Sequence, residues 1–141
     1  MTGFLAVTNV PSELTRPSPD VRVAAFLKDA GREQVYLSVL TLGEIRKGVA
    51  ELPSGNRRRL LEEWLQTSMR PWFASRILPI TEAIAERWGQ LAAEAKHRGA
   101  GVSAIDGLIA ATALEHDLTV LTRNVKDFAG TGATIVNPWE S

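Results

Sequence analysis

The sequence contains no cysteine and only two histidines, His97 and His116. The lack of thiols excludes disulfides and thiolate metal sites, and two imidazoles nearly exclude a histidine-based zinc centre. The chain also lacks net charge, because 16 Lys and Arg balance 16 Asp and Glu. Proteins that coat long stretches of nucleic acid are usually basic, so bulk charge does not favour that class. A local grip on a short stretch of RNA remains open.

Long apolar runs are absent as well. The opening residues, Met1 to Val7, have no basic flank and a very short apolar run, which does not fit a signal peptide. No stretch reaches transmembrane length. We therefore expect a cytoplasmic protein with no membrane partner. The 141 residues suit a single domain, 1–141, and a hydrophobic content of 45% can fill its core.

Short apolar runs alternate with helical patterns along the chain. This alternation predicts an α/β fold with a central parallel sheet of about five strands, covered by helices on both faces. The predicted strands are Phe4–Val7, Val35–Leu37, Ile77–Ile80, Leu118–Leu121 and Ala133–Val136. The predicted helices are Val21–Asp29, Ser38–Glu51, Arg57–Met69, Thr81–His97 and a segment from Ser103 through Leu114. Thr81 and Ser103 are the expected N-caps of the last two.

Polar side chains follow several predicted strands or begin the helices beside them. In parallel sheets, sites lie beyond the carboxyl ends of the strands, so these side chains are expected to converge. Carboxylates without His or Cys suit Mg²⁺ or Mn²⁺, which hold phosphate oxygens and activate water. Glycine-rich nucleotide-binding fingerprints are absent after the first strand. The polar residues in question are Thr8, Asn9, Glu44, Asp106, Thr122, Arg123, Asn124 and Asp127.

Each acidic residue also has a structural interpretation. Asp106 can complete a capping box with Ser103 and complement the helix dipole. Glu44 can be a solvated residue beside Arg46, and Asp127 can cap a turn. The four tryptophans are expected mainly in packing, and the Arg57–Arg59 run on a solvated helix face.

Four motifs in order are more specific than any single residue. Val7-Thr-Asn-Val10, followed by Ser-Glu-Leu14, resembles the opening DTNVISEL signature of VapC-type PIN domains. The segments Leu40–Gly48 and Ser103–Ala111 resemble the second and third motifs of that family, centred on a glutamate and an aspartate. Thr122–Phe128 is similar to the fourth motif. The ending Val136-Asn-Pro-Trp139 matches the FitB-like branch, so the resemblance covers nearly the whole chain.

This resemblance implies a three-layer α/β/α PIN domain that acts as the toxin of a type II toxin–antitoxin pair. Such toxins are Mg²⁺-dependent endoribonucleases that form homodimers. A VapB-like antitoxin silences them and carries the complex to operator DNA. Structured RNAs are the implied substrates.

Carried over by motif, the implied site residues fall into three groups. Glu44, Asp106, Asn124 and Asp127 are the catalytic group, and Glu44, Asp106 and Asp127 the metal ligands. Thr8, Asn9 and Ser103 support them. From charge and position alone, Arg46, Lys47 and Arg123 are candidates for RNA phosphate contacts.

Val7 is the departure from the family pattern, which has a metal-binding aspartate at this position. A valine supplies neither oxygen nor charge, so the cluster loses one ligand. Valine nevertheless extends the buried strand, so folding is expected to survive. We therefore expect an impaired ribonuclease.

Two other hypotheses remain open. The first is a catalytically silent PIN module that binds an antitoxin and serves in operon autoregulation. The second, a phosphoacceptor domain of the receiver type, ranks lower, because Val7 removes the acidic residue that such a domain needs at the end of a central strand.

Overall fold

The computed structural model describes residues 3–140. Five strands form one parallel sheet in the order β3-β2-β1-β4-β5. The strands are β1 (Gly3–Ala6), β2 (Val35–Ser38), β3 (Ile77–Leu78), β4 (Leu118–Leu121) and β5 (Ile135–Val136). The predicted α/β fold with a parallel sheet of this size is confirmed.

Seven α-helices connect and cover these strands. They are α1 (Asn9–Glu13), α2 (Val21–Ala30), α3 (Val39–Ala50), α4 (Asn56–Trp64), α5 (Arg70–Phe73), α6 (Glu82–His97) and α7 (Ala104–Glu115). A π-helical turn, Leu65–Met69, joins α4 to α5. Short 3₁₀ turns occur at Arg32–Gln34, Ala74–Arg76, Val125–Phe128 and Pro138–Glu140. Within residues 3–140, no helix has the length and hydropathy that crossing a membrane requires.

The side chains of the sheet alternate between two hydrophobic clusters, as expected for a sheet covered on both faces. Ala6, Val35 and Leu37 belong to one cluster, with residues of α1, α2 and the α4–α5 segment. Leu5 and Val120 belong to the other, with α6 and α7. Val7 also packs in this second cluster and is 7% exposed.

The sequence prediction has no counterpart of the short helix α5, and its other differences from the structure lie mainly at element ends. The helix predicted at Arg57–Met69 is instead α4 followed by the π-helical turn. The strand predicted at Ile77–Ile80 ends at Leu78, because Pro79 has no backbone N–H to continue the ladder. The strand predicted at Ala133–Val136 begins only at Ile135. The caps at Thr81 and Ser103 are confirmed.

The strand order places a topological switch point between β1 and β4. The chain builds outward from β1 through β2 to β3, and then returns to the other side of β1 with β4 and β5. Ligands of open α/β sheets bind beyond the carboxyl ends of the strands that flank such a point. The residues that follow β1 and β4 therefore define the candidate site.

Candidate active site

Val7, Thr8 and Asn9 follow β1 at the switch point. The backbone N–H of Val7 donates to the carbonyl of Leu121 at 3.1 Å, which continues the pairing of β1 with β4 for one more residue. Thr8 then turns the chain into α1. The side chain in the position nearest the sheet is thus an apolar one, buried against the α6–α7 layer.

Glu44 is brought to this edge by α3. The helix begins directly after β2, where the Ser38 hydroxyl accepts a hydrogen bond from the N–H of Leu40. Glu44 lies on a half-buried part of the helix, and its Oε1 accepts a 3.0 Å hydrogen bond from the Thr8 hydroxyl. The carboxylate is therefore held beside the end of β1, as the motif comparison predicts.

Asp106 lies in the first turn of α7, the helix that leads back into β4. Its backbone N–H donates to the Ser103 hydroxyl at 3.1 Å, so Ser103 caps the helix. Burial raises the pKa of Asp106 above its ordinary value, the nearby Asp127 carboxylate adds to the rise, and the hydrogen bond with Ser103 opposes it. The structural interpretation of Asp106 as part of a cap is thus correct. In addition, repulsion from the Asp127 carboxylate acts on the Asp106 carboxylate and helps to raise its pKa.

The segment after β4 completes the edge. The Thr122 hydroxyl accepts a hydrogen bond from the N–H of Asn124 at 3.0 Å, and Asp127 lies in the following 3₁₀ turn. The N–H of Arg123 donates to Oδ1 of Asn9 at 3.4 Å, across the switch point. This contact joins the segments after β1 and β4, which lie 114 residues apart in sequence.

The acidic residues are therefore assembled as separate groups. Thr8 holds Glu44 on one side, and Asp106 interacts with Asp127 on the other. Among residues 3–140, no three Asp, Glu or His side chains are grouped so that they could hold a metal ion. Glu44, Asp106 and Asp127 do not form a ready three-carboxylate site here, and their role as metal ligands stays a prediction.

The three predicted phosphate contacts differ in their surroundings. Arg46 pairs with Glu62 of α4 at 3.5 Å, and Lys47 pairs with Glu51 at 3.8 Å. Arg123 makes no ion pair within the described part of the chain, and its guanidinium lies 5.2 Å from the ring centroid of Trp139. Arg123 is thus the candidate whose charge is not already opposed by a carboxylate.

Glu13 and Trp139 lie next to this edge, and sequence reasoning had assigned neither of them a site role. Glu13, at the end of α1, is a buried carboxylate that accepts a 2.9 Å hydrogen bond from the N–H of Asp20. This bond is the largest cause of its lowered pKa, and Arg16 and the Trp139 side chain lower it further, against the effect of burial. The motifs that contain Glu13 and Trp139, Ser-Glu-Leu and Asn-Pro-Trp, can be recognised in the sequence. The contact between the two residues cannot be read from it.

Comparison with known proteins agrees with this architecture. The family model described as PIN domain matches residues 5–132. Toxin FitB of Neisseria gonorrhoeae is 46% identical over 136 residues, covering 96% of this chain and 98% of that protein. VapC ribonuclease Y4jK of Sinorhizobium fredii is 39% identical over 133 residues, covering 94% and 95%.

Solved structures extend the similarity to three dimensions. The crystal structure of FitAcB from Neisseria gonorrhoeae superposes with a TM-score of 0.92 at 44% identity and covers 98% of this chain and 99% of that one. The structure of FitAB bound to the IR36 DNA fragment gives a TM-score of 0.91 at 43% identity, with 96% and 95% covered. The fold, the order of the motifs and these matches agree, and the chain belongs to the PIN-domain family.

Proposed function

We propose that this chain is the toxin component of a type II toxin–antitoxin pair, a PIN-domain endoribonuclease whose cleavage of RNA is impaired by Val7. The observation that carries the proposal is the convergence of Thr8, Glu44, Asn9 and Arg123 at the β1–β4 switch point. Its relatives support the same class, because they are named a toxin and a VapC ribonuclease. Asp106 and Asp127 supply the remaining carboxylates.

We infer that Val7 is the reason why the carboxylates fall short of a metal site. PIN-domain ribonucleases generally depend on divalent metal ions. A hard cation such as Mg²⁺ or Mn²⁺ needs several oxygen ligands. The side chains now present do not fit such an ion, because residues 3–140 contain no group of three metal-binding side chains. A carboxylate at position 7, next to Thr8 and the pairing of β1 with β4, would add one oxygen ligand at this edge of the sheet. We therefore assign no cleavage step to the chain as it stands.

An apolar groove lined by residues outside the candidate site supports a protein partner. Residues of α1, α2 and the α4–α5 segment line it, among them Leu14, Trp64 and Trp72. An amphipathic helix fits such a groove. We propose a VapB-like antitoxin as the occupant, and operator DNA as a partner only through it, in line with the DNA-bound FitAB complex. A homodimer and a cytoplasmic location complete the proposal.

The decisive experiment compares the wild-type chain with its Val7→Asp variant. Purified proteins are incubated with tRNA and rRNA in Mn²⁺, Mg²⁺ or EDTA, and induction in a bacterial host measures growth. We expect RNA cleavage and growth arrest from Val7→Asp alone, abolished by EDTA. Val7→Asn is the matched control, because it is polar and similar in size but uncharged. No cleavage by the Val7→Asp variant with either metal would contradict the ribonuclease proposal.

The burial of Val7 favours a second candidate, a silent module that acts only through its antitoxin. Val7 packs with the α6–α7 layer as an ordinary core residue, so the fold does not need an acid there. Co-purification of a small DNA-binding protein with this chain, together with absent cleavage after Val7→Asp, would favour this candidate. Cleavage after the substitution would favour the first.

A further inference from the structure

The Arg123 guanidinium lies over the ring of Trp139, and the proposed function assigns no role to this contact. Trp139 is 4% exposed and belongs to the core cluster beside α2, whereas Arg123 is exposed. A buried aromatic ring thus supports an exposed cation at 5.2 Å. Arg123 lies two residues after β4, at the switch point beside Asn9.

The guanidinium is fixed without being neutralised. Within residues 3–140, no carboxylate pairs with Arg123, and the contact with the Trp139 ring leaves its N–H groups available. Its backbone is anchored as well, through the 3.4 Å hydrogen bond to Asn9. A planar guanidinium whose position is set by a ring and whose edge is open suits bidentate contact with a phosphate.

Trp139 is itself held from two sides. Its backbone N–H donates to Oδ1 of Asn137 at 2.9 Å, which fixes the C-terminal turn. Glu13 lies against its side chain, and that carboxylate is tied to the N–H of Asp20. The ring therefore has little freedom to move, and the cation above it is preorganised before any ligand binds.

From this arrangement, and resting on the proposed function, we infer that Arg123 binds a phosphate of single-stranded RNA flanking the site and that Trp139 is the positioning residue that orients it. Arg46 and Lys47, which are paired with carboxylates, contribute less. The C-terminal turn thereby takes part in RNA binding. This binding requires neither a metal ion nor cleavage of the RNA.

The test is RNA binding by the chain with Val7 in place, so that cleavage does not interfere. A short fluorescein-labelled single-stranded RNA of mixed sequence is titrated at several KCl concentrations in EDTA. We expect Arg123→Ala to raise Kd by about 5- to 10-fold and to reduce the salt slope by about 0.7, the value for one phosphate contact to a single strand. Lys28→Ala is the matched control, because this exposed lysine lies where α2 leads toward the amino end of β2.

A double-mutant cycle separates positioning from simple structural support. Trp139→Leu should weaken binding by about 3- to 10-fold when Arg123 is present and have almost no effect in the Arg123→Ala background, as expected for coupled residues. Trp139→Phe keeps a ring and should lie between wild type and Trp139→Leu, and it serves in place of the leucine variant if that one fails to fold. Thermal melts of every variant check that the folded state is being compared.

Three outcomes would overturn the inference alone. The first is an RNA affinity of Arg123→Ala equal to that of Lys28→Ala, and the second is an equal loss from the Trp139 substitution with and without Arg123. In the third, Arg123→Ala spares RNA binding but weakens the complex with the co-purified partner, which would place the cation in a protein interface. By contrast, absence of RNA binding by both wild type and Val7→Asp would contradict the proposed function itself.

Discussion

The hydroxyl of Thr8 donates a 3.0 Å hydrogen bond to Oε1 of Glu44 and so joins the end of β1 to α3. The two residues lie 36 positions apart, on segments that follow neighbouring strands. A hydrogen bond to a charged acceptor is worth about 1.5–3 kcal/mol, less where water competes. This contact fixes one carboxylate of the candidate site.

Replacing Thr8 by valine tests that contact, because valine keeps the branched shape and removes the donor. We expect Thr8→Val to lower the free energy of unfolding by about 0.5–1.5 kcal/mol, and to lose that effect when Glu44 is already alanine, which has no acceptor. Urea denaturation measures it. Thr8→Ser, which keeps the hydroxyl, is the control, and a valine variant as stable as wild type would show that the bond contributes nothing.

Glu13 gives the fold a dependence on acid. Its folded pKa lies below 4.5, chiefly because of the hydrogen bond from Asp20, so its ionised form stabilises the native state above pH 4.5. That contribution is lost as the pH falls below 4.5 toward the folded pKa. We expect Glu13→Gln to be less stable than wild type at pH 7, with the difference shrinking as the pH is lowered through this window.

The melting temperatures of wild type and Glu13→Gln measure this effect. They are recorded between about pH 3 and pH 7, on both sides of the ordinary carboxyl pKa. Glu63→Gln, on the exposed side of α4, is the control for replacing any glutamate. A constant difference between Glu13→Gln and wild type over this range would contradict the assignment.

The pKa of Asp106 is shifted in the opposite direction to that of Glu13, so its effect on stability depends on pH in the opposite way. Its folded pKa is raised, first by burial and then by Asp127, so its ionised form destabilises the native state as the pH rises above 3.8. Asp106→Asn should therefore be more stable than wild type at pH 7, and the advantage should vanish below pH 3.8. Chemical denaturation at both pH values measures it, and an asparagine variant that is less stable at pH 7 would contradict this assignment.

A charged substitution in the apolar groove should weaken binding of the protein partner. Leu14 lines the groove and is 41% exposed, whereas Val21 is 79% exposed and lies outside it. Leu14→Glu places a charge in a surface that an apolar helix would cover, so we expect at least about a tenfold loss of affinity for the co-purified partner. Pull-down and calorimetry measure this loss. Val21→Glu is the control, and equal effects of the two substitutions would exclude the groove as the docking surface.

The sequence predicted the parts of the fold that depend on local pattern. Strand Leu118–Leu121 and the caps Thr81 and Ser103 follow from alternation and capping chemistry, and all three are found where expected. The π-helical turn at Leu65–Met69 was missed because the apolar stripe of α4 continues through it without a break.

Contacts between distant segments lay beyond the reach of such patterns. Asn9 meets Arg123 across 114 residues, and Glu13 lies against Trp139 only because α1 and the C-terminal turn share one cluster. The motifs placed Glu44 and Asp106 at one edge of the sheet. They did not show that Glu44 pairs with Thr8 while Asp106 interacts with Asp127.

We propose that Val7 is the residue that keeps this chain from binding a divalent ion. The most direct measurement is the melting temperature of wild type and Val7→Asp with and without Mn²⁺. Without metal, the variant should be less stable than wild type by about 1–3 kcal/mol, because it buries an acid among apolar residues. Millimolar Mn²⁺ should stabilise the variant and leave wild type unchanged. An equal response of both proteins to Mn²⁺, or no response of the variant, would contradict this role of Val7.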